Sequence, residues 1–110
     1  MNLKKVLRGK KSYQKLLDAF EKGDVTVSVS PLFGGVRVSN LFVAPELRGK
    51  GIASSLLELI KENSRGPVWI KPGPFGDMPL TTQQLTTFYE KLGFKKVDNR
   101  DNMVYRKNST

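Results

Sequence analysis

Apolar residues recur along this chain with two different periods. Tyr13, Leu16, Leu17 and Phe20 fall on one helical face, with Ser12 placed as an N-cap and Gly23 where a left-handed C-terminal residue belongs. From Val25 the period shortens to two. Val25, Val27 and Val29 alternate with Thr26, Ser28 and Ser30, which predicts a half-buried strand. Pro31 to Gly35 turns the chain, and Val36, Val38 and the run Leu41-Phe42-Val43 return as a second, antiparallel strand with a bulge at Ser39-Asn40. Ile52, Leu56, Leu59 and Ile60, flanked by Ala53 and Leu57, make a wide apolar helical stripe that ends near Asn63-Ser64-Arg65-Gly66. Pro67 to Lys71 reads as a short apolar strand. After strand and helix it is expected as a parallel, right-handed crossover partner beside Leu41–Val43.

The remaining third is equally patterned. Pro72 to Pro79 is too rich in proline and glycine for regular structure and reads as a loop rimming a site. Thr81 and Gln84 have the spacing of a capping box, and Leu85, Phe88, Tyr89 and Leu92 continue as a helix that Gly93 stops. Phe94–Val97 and Met103–Tyr105 then form a hairpin around Asp98 to Asn102. Met1 to Arg8 is basic with scattered apolar positions and yields no definite element.

Composition narrows the chemistry. The expectation is a single domain over residues 1–110, without a signal peptide or membrane span, in a cytoplasm. Cysteine and histidine are both absent, which removes disulfides, thiolate nucleophiles, imidazole acid–base chemistry and the usual zinc sites. The formal net charge of +9 favours an anionic ligand or partner, whether nucleic acid, acidic protein or a polyphosphate cofactor.

The segment Leu41-Phe42-Val43-Ala44-Pro45 followed by Glu46-Leu47-Arg48-Gly49-Lys50-Gly51-Ile52-Ala53-Ser54 focuses that charge. It reads as strand, glycine turn and helix start. The first N–H groups of a helix lack intrahelical partners and carry partial positive charge, so they suit an anion. Gly49 and Gly51 would let backbone approach it closely, and Arg48 and Lys50 add charge. The competing reading is a tight strand-to-helix turn with two solvated cations. Tyr89, in line with Leu85, Phe88 and Leu92, equally fits a core position.

Two motifs in order carry a resemblance. Val43-Ala44-Pro45 with Arg48-Gly49-Lys50-Gly51-Ile52-Ala53 resembles the acyl-CoA loop of the GNAT superfamily of N-acetyltransferases, Arg/Gln-x-x-Gly-x-Gly/Ala, and Phe88-Tyr89-Glu90-Lys91-Leu92-Gly93-Phe94 is similar to the segment that closes that superfamily's next helix. The resemblance spans roughly Val25 to Tyr105. It implies an α/β fold of the α+β kind, with a mixed, mostly antiparallel central sheet, one splayed parallel strand pair and flanking helices. It implies acetyl-CoA as cosubstrate, no metal, and transfer of the acetyl group to a primary amine by direct attack on the thioester. The backbone from Arg48 through Gly49, Lys50, Gly51, Ile52 and Ala53 to Ser54 would hold the pyrophosphate, and the pantetheine arm would run along Leu41, Phe42 and Val43. The Val43 N–H would polarise the thioester carbonyl, and the Tyr89 phenol would protonate the leaving thiolate.

Two departures stand out. No carboxylate lies on Val36–Val43 to serve as general base, which leaves Asp77, Glu46 or water. Thr82 stands where many members carry an asparagine. The acceptor, a protein lysine, an N-terminus or a small amine, is not legible, although the basic charge argues against a polycation. The rival readings are a non-catalytic nucleic-acid- or protein-binding module using Lys4, Lys5, Arg8, Lys10, Lys11 and Lys15, and an acetyltransferase-like fold kept as an interaction or inhibitor protein.

Overall fold

The computed structural model describes residues 3–73 and 80–106. The elements in order are α1 (Leu3–Arg8), α2 (Gln14–Lys22), β1 (Val25–Leu32), β2 (Gly35–Val43), α3 (Ile52–Asn63), β3 (Val68–Ile70), α4 (Thr82–Lys91), β4 (Lys95–Lys96) and β5 (Met103–Tyr105), and all but α1 are those predicted. The basic N-terminus, which carried no expectation, begins as α1, whose Leu7 is buried. Ser12 is not the N-cap of α2. It lies inside a 3-10 turn, Lys11–Tyr13, and Tyr13 occupies the cap position without a side-chain hydrogen bond. Gly23 closes α2 in the left-handed conformation, φ 80°.

The strands form one mixed sheet of order β1-β2-β3-β5-β4, in which only β2 and β3 run parallel. One face of it, formed by Val25, Val38, Val68, Ile70 and Met103, joins the buried leucines and isoleucine of the helices in a single core. The alternating valines of β1 predicted this, since one face of an antiparallel pair can remain wet while the other is packed. Thr26, Ser28 and Ser30 are accordingly exposed.

The register corrects one expectation. β3 pairs with Val36, Arg37 and Val38, not with Leu41–Val43. Two features stop the pairing there. Between Thr26 and Ser28 the register of β1 against β2 shifts by a residue, and Asn40 takes φ 54°, so β2 bulges beyond Val38 at the predicted place. On the other strand, Pro72 follows Lys71 and offers no N–H to extend a ladder. Beyond Val38 and Ile70 the two strands part.

At the opposite end, chain segments meet without room for a side chain. The Val36 N–H donates to the Pro67 carbonyl over 3.0 Å, and a Cβ on Gly35 would overlap that same carbonyl. The Asp98 carboxylate orders the last hairpin by accepting from the Asn102 amide and from the Arg100 and Asn102 N–H groups, which hold it below the ordinary carboxylate range. Gly35→Ala should lower unfolding stability by at least about 2 kcal/mol in urea denaturation, because backbone must move, whereas Ser28→Ala on the wet face should change it by less than about 0.5 kcal/mol. Equal effects would contradict this packing.

Candidate active site

Where β2 and β3 part, a cavity of about 620 Å³ opens. Leu41 and Val43 of β2 line it, together with Ile70 and Lys71 at the end of β3. Arg48, Gly49, Gly51 and the first residues of α3, Ile52, Ala53 and Ser54, form a second wall. Leu85, Phe88 and Tyr89 of α4 complete it. Nine of the residues predicted to bind or react therefore share one wall system, while Phe42 and Lys50 do not line it. The strand alternation turns the Phe42 side chain to the reverse face, where its ring lies 5.8 Å from the Arg48 guanidinium.

The strand end presents backbone to this cavity. The Ala44 N–H donates to the Asp24 carbonyl over 2.7 Å, which makes Val25 and Val43 a non-hydrogen-bonded pair. The N–H and C=O of Val43 consequently face away from β1. The carbonyl is met by Arg48, whose Nε donates to it over 2.9 Å. This guanidinium joins the loop to the strand end.

The turn into α3 has the expected backbone. Gly49 and Gly51 sit at φ 79° and 76°, a conformation that residues with a side chain adopt only under strain, and nothing lies within 4 Å of where a Cβ would stand on either. Gly51 caps α3 without any side-chain hydrogen bond, and the first intrahelical bond runs from the Ser55 N–H to the Gly51 carbonyl at 3.0 Å. The N–H groups of Ile52, Ala53 and Ser54 precede it. No acid occupies the first turn of α3 to neutralise the dipole. The arrangement can hold an anion on main-chain donors.

Tyr89 is held from several sides. Its ring contacts Phe88 and Phe94 with centroids 5.6 and 6.0 Å away, and the residue is 6% exposed while still lining the cavity. Burial disfavours the phenolate and pushes the phenol up to about 12. The capping box predicted at Thr81 and Gln84 is complete and fixes the start of α4. Thr82 spends its carbonyl on the Thr86 hydroxyl.

Lys61 fixes the other end of α4, and the sequence reading missed it. It is 9% exposed, donates to the Leu92 carbonyl at 2.6 Å and to Glu58 at 2.9 Å, and lies 4.3 Å from the Tyr105 ring. A cation here caps the helix C-terminus at Leu92, three residues past Tyr89. Its sign in the sequence is a lysine four residues after Leu57, on the apolar stripe. Lys71, also missed as a site residue, follows directly on an apolar strand. Of the two carboxylates considered as bases, Glu46 is exposed on the 3-10 turn Pro45–Leu47 outside the cavity lining, and Asp77 lies outside the described residues.

The buried phenol carries a pH signature. The unfolded chain releases this proton near the ordinary tyrosine value of about 10 and the folded chain near about 12, so stability is full below pH 10 and falls between those values. Between about pH 9 and about pH 11.5 the wild type should lose about 2 kcal/mol more than Tyr89→Phe in urea denaturation. Parallel losses would mean that the phenol is solvated.

A family model described as an acetyltransferase (GNAT) domain matches residues 12–96, from the 3-10 turn before α2 through β4. No curated protein matches the chain. No helix among the described residues is long and apolar enough to cross a membrane, and no group of potential metal ligands occurs among them. A match of that extent, on a sheet that splays beside a glycine turn and a buried tyrosine, means that the chain belongs to the GNAT acetyltransferase family.

Proposed function

We propose that this protein is an acetyl-CoA-dependent N-acetyltransferase acting on a primary amine, with the cosubstrate seated in the splay between β2 and β3. The observation that carries the reading is the convergence of the Val43 backbone, the uncapped start of α3 and the Tyr89 side chain on one cavity. The donor set fits the cosubstrate in two places. Main-chain N–H groups at a glycine-bounded helix start suit a diphosphate, and the open strand edge beside an apolar wall suits an extended amide-bearing arm. When bound, acetyl-CoA supplies an acyl group activated as a thioester.

The protein's part is positioning and proton handling. The amides from Gly49 to Ser54 bind the diphosphate without needing to lose a proton, so binding is insensitive to neutral pH. The Val43 N–H, directed away from β1, stabilises negative charge developing on the acyl oxygen. Arg48 keeps the adjoining peptide turned through its bond to the Val43 carbonyl. As the amine adds and the carbon–sulfur bond breaks, Tyr89 would pass its proton to the departing sulfur and recover one from water. Its raised pKa keeps that proton in place at neutral pH. The amine sheds its proton to water, for no carboxylate lines the cavity among the described residues.

The acceptor class follows from the same electrostatics. The charged residues that line the cavity among those described, Arg48 and Lys71, are both cations. A polyamine would be repelled more strongly than a singly charged protein lysine or chain N-terminus, and a neutral small amine not at all. Incubation with acetyl-CoA and a panel of amines and proteins, read by mass spectrometry, tests the reaction. Acetylation of none of them despite demonstrated acetyl-CoA binding would favour a non-catalytic role.

Two variants test the assigned roles. Tyr89→Phe should lower kcat about a hundredfold or more while leaving acetyl-CoA affinity within about twofold, because only the proton is removed. An unchanged kcat would reduce Tyr89 to a packing residue. Gly51→Val should weaken acetyl-CoA binding in calorimetry at least about tenfold, and Lys50→Ala should weaken it far less, since backbone geometry rather than the lysine is what binds. The reverse order would assign the site to side-chain charge.

A further inference from the structure

The end of the sheet remote from the cavity carries an exposed aromatic held in an unfavourable backbone conformation. Phe33 and Gly34 form the β1–β2 turn with φ 45° and 77°, the positive pair of a type I′ turn, in which asparagine is the favoured first residue. A phenylalanine there is strained, yet its ring is not buried in exchange: it is 80% exposed and touches Trp69 by an edge, centroids 6.1 Å apart. Strain that packing does not explain points to use.

The surroundings say what for. Ser30, Arg37, Trp69, Val104 and Lys95 stand in one cross-strand row over all five strands, on the face opposite the main core, with Val104 buried and Trp69 half-buried between the exposed ends. Arg37 and Lys95 are exposed, and the Arg106 guanidinium sits 5.7 Å from the Trp69 ring. No carboxylate stands in this row, and no hydrogen bond or ion pair engages the side chains of Arg37, Lys95 or Arg106 among the described residues. Three cations thus flank two aromatic rings on a sheet surface in a chain of net charge +9.

We propose that this face binds single-stranded nucleic acid, with a base stacked on Phe33 and phosphates met by Arg37, Arg106 and Lys95. The charge alone would serve any polyanion. The exposed π-face is what an acidic peptide has no use for and every nucleobase can stack on. Ser30 in the row and Ser28 beside it, both exposed on β1, add hydroxyl donors for phosphate or sugar. Lys5 of α1 lines a small pocket with Gly34 and Gly35 beside this turn, and the surface does not depend on the acetyltransferase reading.

Fluorescence anisotropy with labelled oligothymidylate and oligouridylate of about 15 nucleotides tests it, with polyglutamate as the protein-like polyanion. At least one oligonucleotide should bind, with affinity falling steeply as salt rises, and polyglutamate should bind more weakly. Phe33→Asn should weaken oligonucleotide binding about tenfold while leaving the melting temperature equal or higher, since it supplies the preferred turn residue. Arg37→Gln with Arg106→Gln should flatten the salt dependence. Acetyl-CoA affinity should be unchanged in both variants. The proposal is overturned if no oligonucleotide binds, if polyglutamate binds as tightly, or if Phe33→Asn has no effect while Lys10→Gln, Lys11→Gln and Lys15→Gln together abolish binding.

Discussion

The site exists because two parallel strands stop pairing. After Val38 and Ile70 the ladder between β2 and β3 ends, and a cavity takes the place of the missing hydrogen bonds. A buried strand edge without partners would ordinarily be unfavourable, since each unpaired polar group loses its water for nothing. Here the edge opens to a ligand-sized space, and one of its carbonyls is met by Arg48. The bulge at Asn40 and the proline at position 72 are the local devices that produce the opening. Both are written in the residues themselves.

A second requirement is that the tyrosine stay put. The helix bearing Tyr89 is fixed at its start by the reciprocal bonds of Thr81 and Gln84 and at its end by Lys61. Lys61 belongs to α3, the helix whose first turn faces the same cavity. The two helices that shape the site are therefore tied by a hydrogen bond between a buried ammonium and a helix-terminal carbonyl. Such a bond is worth more than its surface equivalent, because removing the cation would leave the carbonyl without a partner.

Most elements were legible because their patterns are local. The valine alternation of β1, the apolar stripe of α3 and the capping box of α4 each state their conformation within a few residues, and the structure agrees with all of them. The glycine turn was legible for the same reason. What failed were statements about partners. The strand Val68–Ile70 was expected beside Leu41–Val43, yet it pairs five residues earlier, with Val36–Val38, since register depends on where the crossover lands and not on the strands' own composition. Ser12 looked like a cap but a 3-10 turn absorbs it. Lys61 was not singled out, because burial of a lysine is visible only once a carbonyl from a distant segment meets it. Val43 and Tyr89 were singled out through resemblance, and the direction of the Val43 peptide emerged only from its pairing with Val25.

The central claim is that main-chain groups along the splayed edge and the glycine turn receive the cosubstrate. Backbone amide NMR during titration with CoA reads those groups directly. The account predicts that the largest chemical-shift changes fall on Leu41–Val43 and Gly49–Ser54, with Tyr89 next and α1 and α2 unaffected. Changes confined to the lysine-bearing helices, or a turn at Gly49–Gly51 that ignores saturating CoA, would contradict it.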